Sequence, residues 1–499
     1  MLLLLLAVAC VVGLAGPFSA LRAVHTDELF SLITAELPPR EMIERLAAYE
    51  PGFYDHPPLF FLLVRAMLVF GTEPFVIRLP SLIFAAFAIW VTGIIIARET
   101  QKPALAFLAV FVMAANPIVW EMAHFARMYS LVLLLGALTT GLVLDVLRTE
   151  ERRRLARLAI LLGLTLAVML WTTYFTLVLC ASLGLLALSL LALEFWRNKR
   201  LSFGGVAILA ACAISGVLFL PWLQPTLRLL EAEGGEARGI LFGFLTMVRA
   251  VSAAAGSPYV LLLVLVALAV VSVKSRQRQL FMVIFFLALP LWIMATKAPP
   301  DRPVVARYAM YGLPALFVFM AVVFADASDW LQERLAKKDT PLGLWRIPCG
   351  VLLLCYVGLQ SLGFRQLANP LAPDWWMISA AIETQYEPGE IVLTGGFLSG
   401  EAIVYHMIEP ETIEFRHYVT AIDPFYLSCR DPNVVWYVNA APLPESFEKI
   451  IHRYFPYRLH VEGNSARGLE ILVAAKKPFL VPRAGEAVYH EPVPLEYEQ

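Results

Sequence analysis

Residues 131–175 read LVLLLGALTTGLVLDVLRTEERRRLARLAILLGLTLAVMLWTTYF. Two apolar runs, 128–147 and 155–172, flank a turn, RTEERRRLAR (148–157), that carries five arginines. A helix needs about 20 mostly apolar residues to cross a bilayer. Lys and Arg gather in the short loops on the cytoplasmic side. The stretch therefore reads as two spanning helices joined at that side. The same pattern repeats outward in both directions. Apolar runs lie at 2–21, 57–71, 78–97, 104–120, 128–147, 155–172, 174–195, 203–223, 258–273, 280–296, 304–325 and 347–364.

Composition agrees. The chain has 499 residues, 59% hydrophobic and only 16% charged. A soluble domain carries about 25% charged residues. Net charge is −1, so no basic excess points to nucleic acid, and no nucleic-acid partner is expected. Long polar tracts, the mark of disorder, are absent. Five of the six cysteines lie in apolar runs and only Cys429 in a polar one, without a CxxC pair. Neither a disulfide framework nor a zinc site is indicated.

Charge decides whether 57–71 spans. This run is short, opens with Pro57-Pro58 and carries Arg65 in its middle. If it does not cross, one side collects Arg98 and Lys102, the 148–157 turn, Arg197 to Arg200, Lys274 to Arg278 and the 326–346 loop. If it crosses, every later loop changes sides and the charge rule fails throughout. It is read as a juxtamembrane or re-entrant helix on the outer face, which leaves about 11 transmembrane helices. The first run lacks a basic leader, and Ser19-Ala20-Leu21 is a weak cleavage site, so a span is preferred to a signal peptide.

Residues 365–499 differ. Short β-like runs at 391–396, 434–439 and 469–474 alternate with polar and Pro-rich stretches, and 374–386 reads as a helix with Asp374 as a cap. The expected architecture is an all-α polytopic membrane domain, 1–364, with an outer loop at 22–78. A small mixed α/β extracytoplasmic domain, 365–499, follows it.

The spans hold almost no charge, which disfavours ion-coupled transport. Polar groups gather on the expected outer face instead. They are His25-Thr26-Asp27-Glu28, Tyr54-Asp55-His56-Pro57-Pro58, His124-Phe125-Ala126-Arg127-Met128-Tyr129, and Lys297 to Tyr308 (KAPPDRPVVARY). A carboxylate can take a proton from an acceptor hydroxyl. Basic groups can hold a phosphate as its charge develops. Each group also has a structural reading. Asp27-Glu28 could start a helix over 29–36, Arg127 and Arg307 could be interfacial snorkelling residues, and His56 could belong to a turn.

The order of these elements carries a resemblance. Asp27-Glu28 follows the first span. Then come His56-Pro57-Pro58-Leu59, Phe70-Gly71 and Arg78-Leu79-Pro80-Ser81. Ala126-Arg127-Met128-Tyr129-Ser130 and Ala306-Arg307-Tyr308 follow. The set resembles the bacterial glycosyltransferase family 39 proteins, relatives of protein O-mannosyltransferases and of the lipid A aminoarabinose transferase in the GT-C superfamily. The strong part covers 1–150. Asp374-Trp375 and Pro388-Gly389-Glu390-Ile391-Val392-Leu393 extend it weakly to about 395.

The resemblance implies a GT-C transferase of a bacterial inner membrane, with its active site and C-terminal domain on the periplasmic side. The donor is a polyprenyl-phosphate-linked sugar, and the acceptor a lipid, glycan or protein hydroxyl. Asp27 matches the catalytic carboxylate and Glu28 its neighbour. Arg127, Arg307 and Tyr308 match donor-phosphate binding. His56 stands where relatives usually have Lys or Arg. Tyr129, Lys297, Arg302 and Glu121 are further substrate-binding candidates. Glu121 is the one acidic residue near Arg127, where many relatives have a second carboxylate after the third span. No cofactor is expected. With neither a DxD motif nor a Gly-rich loop, a divalent metal is not indicated. An inverting displacement needs no second, nucleophilic carboxylate. A lipid-linked sugar flippase or permease, and a glycan polymerase or ligase of the same superfamily, are the alternatives.

Overall fold

A computed structural model of the chain describes residues 2–21, 24, 26–48, 56–232, 240–254, 282–297, 306–336, 379, 382, 386, 390–395, 415–417, 434–439, 457–461 and 470–475. Their contacts group the chain into two units, 1–21 with 31–368 and 22–30 with 369–499.

The first unit is helical. Its elements are α1 (Leu2–Leu21), α2 (Thr26–Glu36, whose first turn belongs to the second unit), α3 (Pro39–Ala48), α4 (Leu59–Leu68), α5 (Pro74–Thr100), α6 (Pro103–Ala114), α7 (Pro117–Ala123), α8 (Tyr129–Val146), α9 (Arg152–Leu170), α10 (Phe175–Asn198), α11 (Phe203–Phe219), α12 (Leu223–Ala232), α13 (Ile240–Ala254), α14 (Leu289–Lys297) and α15 (Leu313–Ala336). A π-helical turn, Ile284–Ala288, leads into α14, and 3₁₀ turns occupy Leu220–Trp222 and Ala306–Ala309.

Among the described residues, Pro74–Thr100, Tyr129–Val146, Phe175–Asn198 and Phe203–Leu229 are each long and apolar enough to cross a membrane. The chain is a multi-pass membrane protein. At about 1.5 Å per residue α5 is about 40 Å long, more than the roughly 30 Å hydrocarbon core. It is the hub of the unit, packing on α1, α4, α6, α7, α8 and α15. In lipid, close packing rather than water exclusion holds helices together, and small residues permit it. Gly163 shows this where α9 meets α11: a Cβ there would stand 2.8 Å from Ile214 Cβ.

The run at 104–120 is not one straight span. It breaks at Asn116 into α6 and α7, bent by 65°. The Asn116 side-chain oxygen accepts from the amides of Ile118 at 3.1 Å and Val119 at 3.3 Å, and Pro117 takes the first helical position. An N-cap followed by proline starts a new helix wherever it falls. The 57–71 run forms α4, ten residues and about 15 Å, too short to span. After it Val69 and Phe70 are 83% and 74% exposed. The expected 223–257 loop is in fact largely α12 and α13, on either side of 233–239. The 78–97 span begins earlier, at Pro74, so Arg78 lies inside the helix. The runs at 258–273 and 347–364 lie outside the described residues.

Three ion pairs cluster near the C-terminal end of α5. Arg98 pairs with Asp145 at 2.8 Å, Arg148 with Glu99, and Lys102 with Asp329. These pairs tie the end of α5 and its link to α6 to the end of α8, the turn after it and α15. The Glu99 side chain is fully buried. Cys10, Cys180 and Cys212 are free.

The second unit holds a five-stranded mixed sheet. Its strands are β1 (Ile391–Gly395), β2 (Phe415–His417), β3 (Val434–Asn439), β4 (Tyr457–Val461) and β5 (Glu470–Ala475), in the order β2-β1-β3-β5-β4. β1 runs parallel to β2 and β3, while β5 is antiparallel to β3 and β4. Three strands fall where the alternating runs predicted them. β2 and β4 are additions. Of the expected 374–386 helix, the described Ser379 and Ile382 are helical and buried. Buried Trp436 donates from Nε1 to Glu390 Oε2 at 2.6 Å, and Tyr386 donates from its hydroxyl to the Glu390 carbonyl at 2.9 Å. Glu390 of the Pro-Gly-Glu segment thus fastens β1 to β3.

Candidate active site

The site is built from four pieces of the first unit. His56 stands just before α4. Phe175 opens α10. Tyr129 opens α8. Arg307 and Tyr308 lie in the 3₁₀ turn before α15. The Arg307 guanidinium carbon lies 5.7 Å from the Tyr129 ring centroid and 5.8 Å from that of Tyr308. The Tyr308 ring packs on Phe175 at 4.4 Å, and Phe175 meets His56 edge-on at 6.2 Å. A wall thus runs from His56 through Phe175 to Tyr308, and Arg307 joins Tyr308 to Tyr129. A cation held over ring faces is attracted by their π-electrons and fixed in place.

Close packing sets the position of the 306–312 turn. A Cβ on Gly136 would collide with the Tyr311 carbonyl oxygen, and one on Gly312 would stand 2.7 Å from that of Phe286. Only glycine lets α8 and the π-helical turn approach so near. α7 and α13 also pack against 306–309. Glu121 lies half-buried on α7.

Arg127 is 2% exposed. It lies in the short link between α7 and α8, where its amide donates to the Phe125 carbonyl at 2.7 Å. Its Nη1 donates to Ser31 Oγ over 3.4 Å, a long bond. The same link is fixed by Ser130, which donates to the Met122 carbonyl at 2.7 Å. His124 Nδ1 bonds the Trp120 carbonyl at 2.8 Å, and Trp120 Nε1 donates to the Leu14 carbonyl at 2.8 Å. His124 is thereby a packing residue.

Asp27 and Glu28 occupy the first turn of α2. Carboxylates there are favoured by the positive end of the helix dipole. The two differ in access. Asp27 is half-buried, whereas Glu28 is 1% exposed. Ser31, the residue Arg127 reaches, follows Asp27 by one helical turn, and residues four apart share a helix face.

The remaining candidates are less drawn in. Lys297 is the last residue of α14. Arg302 lies outside the described residues. Arg78 of the Arg-Leu-Pro-Ser motif is fully buried and donates to the Ser19 carbonyl at 3.1 Å, satisfying the C-terminal end of α1. Phe175, which sequence reasoning missed, joins His56 to Tyr308 and has no motif to mark it. Among the described residues, no group of three or more His, Cys, Asp or Glu is arranged to hold a metal ion.

Tyr129 and Asp145 stand at opposite ends of α8, about 24 Å apart by helical rise. The aromatic wall and the ion-pair cluster are therefore at opposite ends of that helix.

No family model and no curated protein matches the sequence. Solved structures do match. ArnT from Cupriavidus metallidurans bound to undecaprenyl phosphate superposes with a TM-score of 0.55 at 12% identity, over 95% of this chain and 98% of that one. Its apo form gives 0.53 at 13% identity, over 95% and 97%. An oligosaccharyltransferase from Archaeoglobus fulgidus in the apo form gives 0.48 at 12% identity, over 97% and 75%. At such identities the ArnT likeness carries the fold alone.

Proposed function

We propose that the protein is an integral-membrane inverting glycosyltransferase. It moves a sugar from a polyprenyl-phosphate donor to an acceptor hydroxyl at the outer face of a bacterial inner membrane. The observation that carries this reading is the assembly of His56, Phe175, Tyr308, Arg307 and Tyr129 into one wall, at the end of α8 away from the basic turns. The tendency of basic turns to lie on the cytoplasmic side supports reading that wall as outward-facing. The undecaprenyl phosphate bound by the ArnT of similar fold supports a lipid-linked donor.

In the proposed step the Asp27 carboxylate accepts the proton of the acceptor hydroxyl. The freed oxygen attacks the anomeric carbon from the face opposite the phosphate. The bond from that carbon to the phosphate oxygen breaks, and its electron pair stays on the phosphate. The leaving polyprenyl phosphate gains one negative charge as the sugar departs. Arg127 and Arg307 are assigned to that growing charge, because fixed donors in a water-poor site stabilise the transition state more than the ground state. Glu28, buried beside Asp27 in sequence, is assigned to shaping the turn.

The test is transfer from tritium-labelled undecaprenyl-phosphate hexoses and pentoses, supplied to purified protein in right-side-out and inverted vesicles. Transfer of label to an acceptor from one donor, only with the outer face accessible, is the expected result. Label that crosses the bilayer still attached to its lipid, without transfer, would contradict the reading and favour a flippase.

A further inference from the structure

The Arg65 guanidinium is spent on a single task. Its Nη1 donates to three successive carbonyls at the end of α2: Ala35 at 2.9 Å, Glu36 at 3.2 Å and Leu37 at 2.7 Å. The last carbonyls of a helix have no partner within it. A cation there also complements the negative end of the helix dipole. Arg65 therefore meets both needs of α2 from outside the helix.

The residue comes from a rigid support. α4 is fixed at its start, where the Leu59 amide donates to the Trp171 carbonyl at 3.1 Å. Its Phe60, Phe61 and Val64 are buried, and Phe61 packs with Met42, Leu46, Leu170, Phe219 and Trp222. α2 itself is buried almost all round from Glu28 to Ala35. Arg127 reaches its middle at Ser31. Two guanidinium groups from separate elements thus hold one 11-residue helix, one near its centre and one at its C-terminal end. Slippage of α2 by one residue moves its first turn by about 1.5 Å along the axis. Misplacement of a reacting group by about 1 Å can cost about a hundredfold in rate.

We propose that Arg65 is a positioning residue for transfer, which by capping the C-terminal end of α2 sets the place of Asp27 at the other end. The inference rests on the reading of Asp27 as the proton acceptor. Arg65 is assigned no contact with donor or acceptor, because its Nη1 is bound to the α2 carbonyls. It acts through the helix.

The test uses the full-length protein in detergent, with the labelled undecaprenyl-phosphate sugar that supports transfer. Wild type, Arg65→Met, Arg65→Lys and Asp27→Asn are compared for kcat, for donor KM and for unfolding midpoint. The expected result is a drop in kcat of about 10- to 100-fold for Arg65→Met, with donor KM within about twofold of wild type. Arg65→Lys, which keeps a cation and its donors, recovers at least half of that loss on a logarithmic scale. If Arg65→Met does not fold, the lysine variant carries the test, with kcat below wild type at an unchanged KM. A kcat per folded molecule equal to wild type in both variants, with only the midpoint lowered, overturns the inference and leaves Arg65 a structural cap. A raised KM at unchanged kcat overturns it as well. Asp27→Asn separates the two claims. If it turns over like wild type, the reading of Asp27 fails. If it is inactive while the Arg65 variants keep wild-type kcat, only the positioning inference fails.

Discussion

Arg307 stands 5.7 Å from the centre of the Tyr129 ring, so a residue of the 3₁₀ turn before α15 is held by the first residue of α8. Arg307→Met removes a charged donor, and hydrogen bonds to charged groups are worth about 1.5–3 kcal/mol, or roughly 10- to 150-fold. Donor kcat/KM is expected to fall within that range. Tyr129→Leu removes only the ring face and is expected to cost about 2- to 30-fold. Tyr129→Phe keeps the face and stays near wild type. Steady-state transfer at varied donor concentration distinguishes the three variants.

His56 is tested by its charge. Its ring meets Phe175 at the far end of the wall from Tyr129. A permanent cation holds a phosphate by charge-assisted hydrogen bonds. His56→Lys is expected to bind labelled donor at least as tightly as wild type, and His56→Ala several-fold more weakly. Equilibrium partition of the labelled donor measures both. Equal binding by His56→Ala and wild type removes His56 from phosphate binding.

Glu99 makes a prediction about stability. Its side chain is fully buried and its carboxylate pairs with Arg148, with Arg98 farther off at 3.6 Å. Removing one partner of a buried charge leaves the other uncompensated, at about 1–3 kcal/mol or more. Arg148→Met is expected to lower the unfolding midpoint in detergent by several degrees. Adding Glu99→Gln recovers part of the loss, because a neutral amide is cheaper to bury. Turnover of the folded protein is expected to stay unchanged in both, since these residues belong to the ion-pair cluster at the end of α8 opposite Tyr129.

Which features were legible in the sequence follows from where the forces are local. Spans show as apolar runs because the bilayer acts on every residue of a helix. Accordingly α8, α9 and α10 lie close to the runs at 128–147, 155–172 and 174–195. The sheet strands β1, β3 and β5 show as alternation or short β-branched runs. The three-residue β2 is too short to carry a pattern. The break at Asn116 had a local signal, a capping residue followed by proline, hidden by the apolar run around it. The grouping of His56, Tyr129, Arg307 and Tyr308 follows from tertiary packing, and Phe175 at its centre is an ordinary aromatic in an ordinary span. The roles of Arg65 and Arg78 were also hidden. Each is a charged residue in an apolar run, and each spends its charge on the carbonyls that end another helix.

The central claim is that Asp27 takes the acceptor's proton, and Asp27→Asn tests it most directly. The amide is the same size and cannot accept the proton. A general base contributes about 10²–10⁴-fold. Transfer of label from undecaprenyl-phosphate sugar in vesicles is expected to fall by at least the lower figure. Binding of the same donor is expected to stay within about twofold of wild type. Transfer at the wild-type rate by Asp27→Asn would contradict the account.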